Sequence, residues 1–490
     1  MWTLFDFINT SWLWWTVTIA YILIVFGVIC VIVSENRNPV KSLAWVTVLL
    51  VVPIVGLLLY LVFGRNIQRK RIISRRNRRK LKRLSEQPSP SGERPRHSPG
   101  VEQVVTLIDS LQRSPFYSDN TVELFNNGTD KFEALIADIA AATDYINMQY
   151  YIIADDRIGQ RVAEALIERA KAGVKVRLIY DSVGSFKIKR KSIKRLHKLG
   201  IEAYPFFEVV FPPFGTRVNW RNHRKLVIID GVVGYIGGMN IADRYVDGGR
   251  FDVWRDLHLR VRGPGVSSLQ QSFAVDWNFM GQPLLEQTAD RKELVEHFPD
   301  RKSQGIARGV DLQLLTGGPV NVWMNLTLTF QKIIATARKT VYLQTPYFLP
   351  SEGLLHALQI AALSKVDVRI MLPRKSDSDM LRWASFSYIQ ECLRAGIKVY
   401  LYDKGMLHSK ALMVDDEFTT IGSTNFDFRS FEHNFEANMM IYSREFNALS
   451  RKQFMEDQRD CVRVTSASWR KRPASEKALE SVMRLFAPIL

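Results

Sequence analysis

Two histidines, two lysines and two asparagines recur in this chain at one fixed spacing. His223, Lys225, Asp230, Gly237, Gly238 and Asn240 are followed 185 residues later by His408, Lys410, Asp415, Gly422, Ser423 and Asn425. Both sets read H-x-K-x4-D-x6-G-[GS]-x-N, and the repetition at identical offsets points to a duplicated site. Lysine and asparagine offer charge and hydrogen bonds to the non-bridging oxygens of a phosphoryl group. Imidazole, titrating near about 6.5, serves as nucleophile, general acid or general base at neutral pH. A pair of imidazoles divides the labour: one attacks phosphorus while the other protonates the departing alkoxide. The scheme requires no metal, and the interleaved lysines would repel a cation, with no carboxylate-rich set to hold one.

The elements that must position these groups follow from the pattern. Residues two apart on a strand share a face, so His223 stands beside Lys225 and His408 beside Lys410. Residues 226–229 and 232–236 read as strands flanking Asp230-Gly231, a hairpin turn signal. A hairpin closed there pairs residues whose numbers sum to about 461, which places Gly238 near His223 and Asn240 just beyond it. The second copy turns at Asp415-Asp416-Glu417. Upstream of the first motif the pattern predicts a strand over 145–153, a helix over 158–172 and a strand over 174–180. The same order returns before the second motif at 341–348, 352–364 and 366–372. Two related α/β halves, about 101–300 and 301–490, packed side by side across a pseudo-twofold axis, would bring the two hairpins together.

A chain of 490 residues, 47% of them hydrophobic, exceeds one ordinary domain and has ample material for a core. Cys30, Cys392 and Cys461 are too scattered for a disulfide framework or a cysteine-based zinc site. The formal charge of +18 points to an anionic partner, either nucleic acid or an acidic membrane surface.

Residues 12–33 carry no charge over a length that fits a bilayer core, and a polar break precedes a second apolar run at 43–63. No basic segment precedes the first run and no small-residue cleavage site follows it, so a retained two-helix hairpin is expected over 1–64 instead of a signal peptide. Residues 65–83 then carry eleven Lys or Arg and no acid, whereas the loop between the runs has only Arg37 and Lys41. The positive-inside rule places the bulk of the chain on the cytoplasmic side, with the basic run lying against anionic headgroups. Residues 85–100, rich in Pro, Ser and Gly, read as a linker.

The duplicated motif resembles the signature of the phospholipase D superfamily over nearly the whole chain. Within it, Asn38-Pro39, Ala44-Trp45, Pro53 and Leu59-Tyr60-Leu61 through Phe63-Gly64 are similar to the membrane-anchor region of bacterial cardiolipin synthases. Asn222-His223-Arg224-Lys225 with Gly237-Gly238-Met239-Asn240-Ile241, and Leu407-His408-Ser409-Lys410 with Asn425-Phe426-Asp427-Phe428-Arg429-Ser430-Phe431, carry the same likeness. Arg244 departs from it, standing where many members have an acid.

The resemblance implies two phospholipase D-type α/β/α halves behind a transmembrane hairpin at a bacterial inner membrane. The implied reaction converts two phosphatidylglycerol molecules to cardiolipin and glycerol through a phosphatidyl-histidine, with no cofactor and no nucleic acid partner. His223 is the favoured nucleophile and His408 the acid/base, although the symmetry of the motifs leaves this open. Lys225, Lys410, Asn240 and Asn425 would hold the phosphate. Asp230 and Asp415, at the turns, would serve ion pairing and site architecture and not proton transfer, with a plain turn role as the alternative. Glu436 would orient the histidine of its own half, and Asp256 is its counterpart. A membrane-tethered phospholipase D or nuclease, with the same pocket, and a non-catalytic lipid scaffold are the competing functions.

Of the remaining histidines, His97 falls in the linker, His197, His297 and His356 stand alone on expected helices, and His258 and His433 read as satisfied structural residues. The loop holding Phe206-Phe207 and Phe211 to Phe214 is either core or a segment that dips into the bilayer.

Overall fold

The computed structural model describes residues 3–34, 39–52, 54–60, 97–207, 220–280 and 305–487. The basic run 65–83, the linker up to residue 96, His297 and Phe211 to Phe214 lie outside the described residues. The chain divides into two compact units, one at the N-terminus and one holding both motifs.

In the N-terminal unit the first apolar run forms one helix, Thr3–Ser34, of which Trp14–Ser34 is long and apolar enough to cross a membrane. The second run is not one continuous helix among the described residues. A helix over Pro39–Val51 stops two residues before Pro53 and a short one follows at Val55–Leu59. Proline has no N–H to continue the ladder and disfavours helical backbone in the residue before it. The Tyr21 hydroxyl accepts from the Ile54 amide at 3.1 Å, and Trp45 packs edge-on against Tyr60.

The second unit is built on one large mixed sheet and two small two-stranded sheets. Its first half contributes β1 (Tyr117–Phe125), β2 (Tyr145–Tyr150), β3 (Lys175–Tyr180), β4 (Glu202–Pro205) and β5 (Arg221–Asn222). The first motif hairpin follows as β6 (Leu226–Ile229) and β7 (Val233–Gly237), then β8 (Trp254–Arg255) and β9 (His258–Arg262). The second half opens with β10 (Ile306–Gly317), β11 (Thr340–Gln344), β12 (Phe348–Leu349), β13 (Asp367–Pro373), β14 (Lys398–Tyr402) and β15 (Met406–Leu407). Its hairpin is β16 (Ala411–Val414) and β17 (Phe418–Gly422), and β18 (Phe426–Asp427), β19 (Asn434–Tyr442) and β20 (Cys461–Arg463) complete the chain.

Read across, the main order is β20-β14-β13-β11-β16-β17-β19-β10-β1-β9-β7-β6-β2-β3-β4. From the antiparallel β1–β10 pair outward the two directions mirror each other: β9 matches β19, β7 matches β17, β6 matches β16, β2 matches β11 and β3 matches β13. The expected pair of related halves is therefore present, and they share one continuous sheet. The motif strands and β19 are buried at every residue, as in a sheet covered on both faces.

The strand-helix-strand units fall where the periodicity predicts them, with helices Arg157–Lys171 and Glu352–Leu363 between their strands. Side-chain caps fix the start of the first: the Asp156 carboxylate accepts from the Gly159 amide.

Two boundaries need correction. The folded unit begins before residue 100, because His97, expected in the linker, hydrogen-bonds Asp311 at 3.0 Å, packs edge-on against Phe116 and tilted against Tyr442, and precedes a helix over Pro99–Gln112. The first hairpin pairs Ile229 with Val233 and Leu226 with Ile236, so its loop has three residues and the register moves by one. Asp230 and Gly231 both take left-handed backbone there, a conformation aspartate and glycine tolerate. The second hairpin turns at 415–417 as expected, Val414 facing Phe418.

Candidate active site

The first histidine does not ride on its own hairpin. The two-residue strand β5 runs parallel to the start of β19 in the other half, pairing Arg221 with Asn434 and Asn222 with Phe435. The His223 amide continues that ladder by donating to the Phe435 carbonyl at 2.9 Å. Glu436, next along β19, then meets the imidazole, its carboxylate 3.0 Å from Nδ1. Alternation sends Arg224 the other way, where it binds the Glu436 carbonyl at 3.1 Å and Asp276 at 2.7 Å. Lys225 returns to the site, fully buried, its ammonium donating to the His223 carbonyl at 2.5 Å.

The second motif repeats this in mirror fashion. Strand β15 runs parallel to β8 of the first half, and the His408 amide donates to the Arg255 carbonyl at 2.7 Å. Asp256 Oδ2 lies 2.6 Å from His408 Nδ1. Lys410 Nζ stands 2.7 Å from the same nitrogen and 3.8 Å from the Asp256 carboxylate, and it also donates to the His408 carbonyl. Each histidine thus takes its carboxylate from the opposite half. The expectation that Glu436 and Asp256 serve their own halves is corrected by β5–β19 and β8–β15, long-range pairings of two residues each that no local pattern announces.

The two centres share one electrostatic site: Lys410 helps to depress the His223 pKa and Lys225 that of His408. Burial is the leading cause for both rings, taking His223 down to about 4 and His408 well below its ordinary value, so both are neutral at pH 7.

The carboxylates differ. Burial pushes Asp256 up to about 6, against the pull of Lys410 and the Leu257 amide. Burial acts on Glu436 in the same sense, but the His223 contact, Lys225 and the Ser423 hydroxyl outweigh it and hold the carboxyl below its usual range. Ser423 donates to Glu436, and the Asn434 carboxamide adds a bond at 3.2 Å. Gly238 occupies the matching position in the first half. A Cβ there would lie 2.2 Å from Asp256 Oδ1, so Asp256 packs against bare backbone and gains no hydroxyl. With Glu436 ionised, His223 Nδ1 must be the donor, which leaves Nε2 with a free lone pair. Burial also lowers both lysines, Lys410 to about 8.

Other expected site residues sit elsewhere or are already engaged. The Asp230 carboxylate accepts from the amides of Thr143, Asp144 and Tyr145, and Asp415 accepts from those of Arg338, Lys339 and Thr340. Both therefore tie a hairpin turn to the start of the neighbouring strand; neither is brought to the imidazoles, and the expected ion pairing is replaced by backbone bonds. Asn240 is held by the Ile152 amide and the Tyr245 hydroxyl. Asn425 is buried with its Oδ1 unpartnered, and its side chain hydrogen-bonds Asp427.

The Arg244 guanidinium lies over the Trp254 ring at 4.8 Å, close enough to add to the depression of His408. His258 is fully buried with neither ring nitrogen hydrogen-bonded, so it is not the satisfied residue expected. Phe206 and Phe207 pack with Phe279 and Phe435, which makes this part of the aromatic loop core.

Sequence reasoning missed the aromatics around the rings: Tyr151 stands edge-on to His223 at 4.9 Å, and Trp254 and Tyr245 flank His408 at 5.5 and 6.1 Å. It also missed a matched brace behind the motifs. Gln149 and Arg224 converge on Asp276, and Gln344 and Arg255 on Asp457. The signal was available, since Gln149 and Gln344 stand at equivalent places in apolar strands. A groove of about 810 Å3 near Arg394, Trp469 and Arg472 includes none of the motif residues.

A duplicated α/β half, with a buried histidine and lysine on each motif and each imidazole bound to a buried carboxylate, defines a phospholipase D-type phosphoryl-transfer site. The comparisons narrow the class. Residues 135–277 and 330–458 match the family described as cardiolipin synthase, phospholipase D-like domain, and residues 13–65 match a phospholipase D-nuclease N-terminal family.

The chain is 38% identical over 482 residues to the major cardiolipin synthase of Bacillus subtilis, covering 96% of this chain and 98% of that protein. It is 37% identical over 465 residues to cardiolipin synthase 2 of Bacillus anthracis, covering 94% and 89%. A cardiolipin synthase of Staphylococcus aureus matches at 36% over 480 residues, 96% of each chain. This chain belongs to the phospholipase D-like cardiolipin synthase family. Its fold is shared with the crystal structure of a phosphatidylserine synthase from Haemophilus influenzae, at a TM-score of 0.60 and 14% identity over 79% of this chain and all of that one.

Proposed function

We propose that the enzyme joins two phosphatidylglycerol molecules into cardiolipin and glycerol, with His223 as nucleophile and His408 as acid and base. The observation that carries this reading is the pair of neutral, buried imidazoles, each bound through Nδ1 to a carboxylate of the other half. His223 Nε2 attacks the phosphorus of the first lipid, the bond from phosphorus to the glycerol oxygen breaks, and His408, neutral in the free site and protonated once the anionic phosphodiester lies beside it, passes that proton to the glycerol oxygen. A primary hydroxyl of the second lipid then gives its proton to His408 and attacks the phosphatidyl-histidine, freeing Nε2. Lys225 and Lys410 balance the charge on the non-bridging oxygens through both steps.

The choice of His223 is supported by Glu436, which stays ionised and fixes the Nδ1–H tautomer, while Asp256, at about 6, lies closer to accepting a proton and suits a partner that cycles between acid and base. Asn240 and Asn425 line the phosphate side as secondary ligands in this reading. The apolar runs 12–33 and 43–63 form a hairpin that returns the chain to the cytoplasmic face, with the catalytic halves divided near residue 300.

Purified protein incubated with phosphatidylglycerol labelled in the glycerol headgroup and in the acyl chains tests the assignment. Cardiolipin and free glycerol in equal amounts are expected. Phosphatidic acid as the main product would mean hydrolysis and would sink the transfer reading, and absence of turnover would sink the catalytic one. His223→Ala and His408→Ala each remove turnover, and chelation of divalent ions leaves it intact.

A further inference from the structure

We propose that the exposed segment Phe186 to Lys198 is an interfacial docking element that seats the catalytic mouth on an anionic bilayer surface. The inference rests on the reading of the site as one that takes lipid substrates. The helix Arg190–Lys198 has no buried residue. Lys187, Lys189, Arg190, Lys191, Lys194, Arg195 and Lys198 are all exposed, and residues 186–198 contain no acid. Among the described residues, one ion pair touches this stretch, Lys189 with Asp155 at a loose 4.0 Å.

The helix repeats like charges at one-turn spacing, Arg190 with Lys194, Lys191 with Arg195 and Lys194 with Lys198, an arrangement that destabilises a helix left in water. Such a face is better suited to anionic headgroups, each of which relieves the repulsion. Its other side is apolar, with Ile193 and Leu196 turned toward Val162 and Leu166 around a cavity of about 150 Å3.

Just ahead of the helix, Phe186 is 73% exposed, an apolar side chain held out beside the basic cluster, as an interfacial segment requires. The turn that carries it is bolted to the site. Asp181 accepts from the amides of Val183, Gly184 and Asn222, the last being the residue before His223. Ser185 donates to the Tyr151 carbonyl and accepts from the Ile153 amide, and the Tyr151 ring stands against His223. A phenylalanine and seven cations beside the nucleophile's neighbour would fix the height of the site above the headgroups, so that a lipid phosphate reaches His223 while its acyl chains stay in the bilayer.

Two readouts on the full chain test this. In nanodiscs, amide exchange over residues 183–198 is expected to slow when phosphatidic acid replaces part of the phosphatidylcholine. Phosphatidic acid offers charge but no headgroup alcohol to displace, so the measurement is independent of turnover. The fourfold variant Lys187→Gln, Lys191→Gln, Lys194→Gln, Lys198→Gln loses that slowing, and an unchanged melting temperature confirms that it folds.

In mixed micelles, the same variant and Phe186→Ser raise the interfacial KM for long-chain phosphatidylglycerol by about tenfold at similar kcat. Neither changes the rate on a short-chain phosphatidylglycerol dissolved as monomers. Equal exchange in both kinds of disc, or an unaltered interfacial KM in both variants, overturns the docking surface. Exchange slowed by a labelled RNA but not by anionic discs overturns it in favour of nucleic acid. A parent enzyme that converts no phosphatidylglycerol sinks the lipid-transfer reading alone, since the exchange measurement still decides the docking.

Discussion

At the scale of single residues, Ser423 and Gly238 break the symmetry of an otherwise duplicated site. Ser423 gives Glu436 a hydroxyl, whereas Gly238 leaves Asp256 against bare backbone, and the two carboxyls part in opposite directions. The free-enzyme pH profile should follow from this. Below about 6 Asp256 gains a proton and loosens its hold on His408, and above about 8 Lys410 loses the charge proposed to meet the phosphate. The expected kcat/KM is therefore a plateau between those limits with a fall on either side. Asp256→Asn removes the acidic limb. Ser423→Ala raises the Glu436 pKa by removing one hydrogen bond to the charged form, so a second acidic limb moves into view. A profile of Ser423→Ala superimposable on that of the parent would rule out Ser423 as the source of the difference.

At the scale of elements, the hairpins carry the motifs but their turn aspartates do structural work. Asp230 is buried and gathers three backbone amides, so Asp230→Asn, which keeps the left-handed preference but turns a donor toward those amides, costs about 3 kcal/mol of stability. The corresponding amides at Asp415 are more exposed to solvent, and Asp415→Asn costs about 1 kcal/mol. Denaturant melts measure both, and kcat/KM of the folded fraction stays near that of the parent; a loss as deep as that of a histidine variant at unchanged stability would return these residues to the chemistry.

The elements themselves were legible in the sequence because their causes are local. Apolar alternation, Gly173 in left-handed backbone at the end of the helix expected over 158–172, and Asp-Gly at a turn each act within a few residues. The one-residue shift of the first hairpin escaped because Asp230-Gly231 fits both a two-residue and a three-residue loop, and the choice lies in Val232, an apolar residue with no turn signature.

At the scale of the molecule, the site is made by exchange between halves, and this was not legible. Glu436 and Asp256 could be picked out as acids near each motif, but their partners depend on β5 meeting β19 and β8 meeting β15, and the two histidine–carboxylate contacts so made span 213 and 152 residues of chain. The exchange predicts which variant damages which step. Glu436→Gln, a change in the second half, impairs the attack proposed for His223 in the first, so little labelled phosphatidyl-enzyme forms. Asp256→Asn, a change in the first half, impairs the proton transfers proposed for His408 in the second, so the intermediate both forms and discharges slowly, and the label that is trapped sits on His223. Rapid-quench trapping with lipid labelled in the phosphate, followed by peptide mapping, separates the two cases. If Asp256→Asn were the variant that failed to form the intermediate and the label trapped in Glu436→Gln sat on His408, the two imidazoles would have to exchange roles while the crossed geometry stood. If both variants formed and discharged the intermediate at the parent rate, the carboxylates from the opposite half would orient nothing, and the crossing would be a feature of the fold alone.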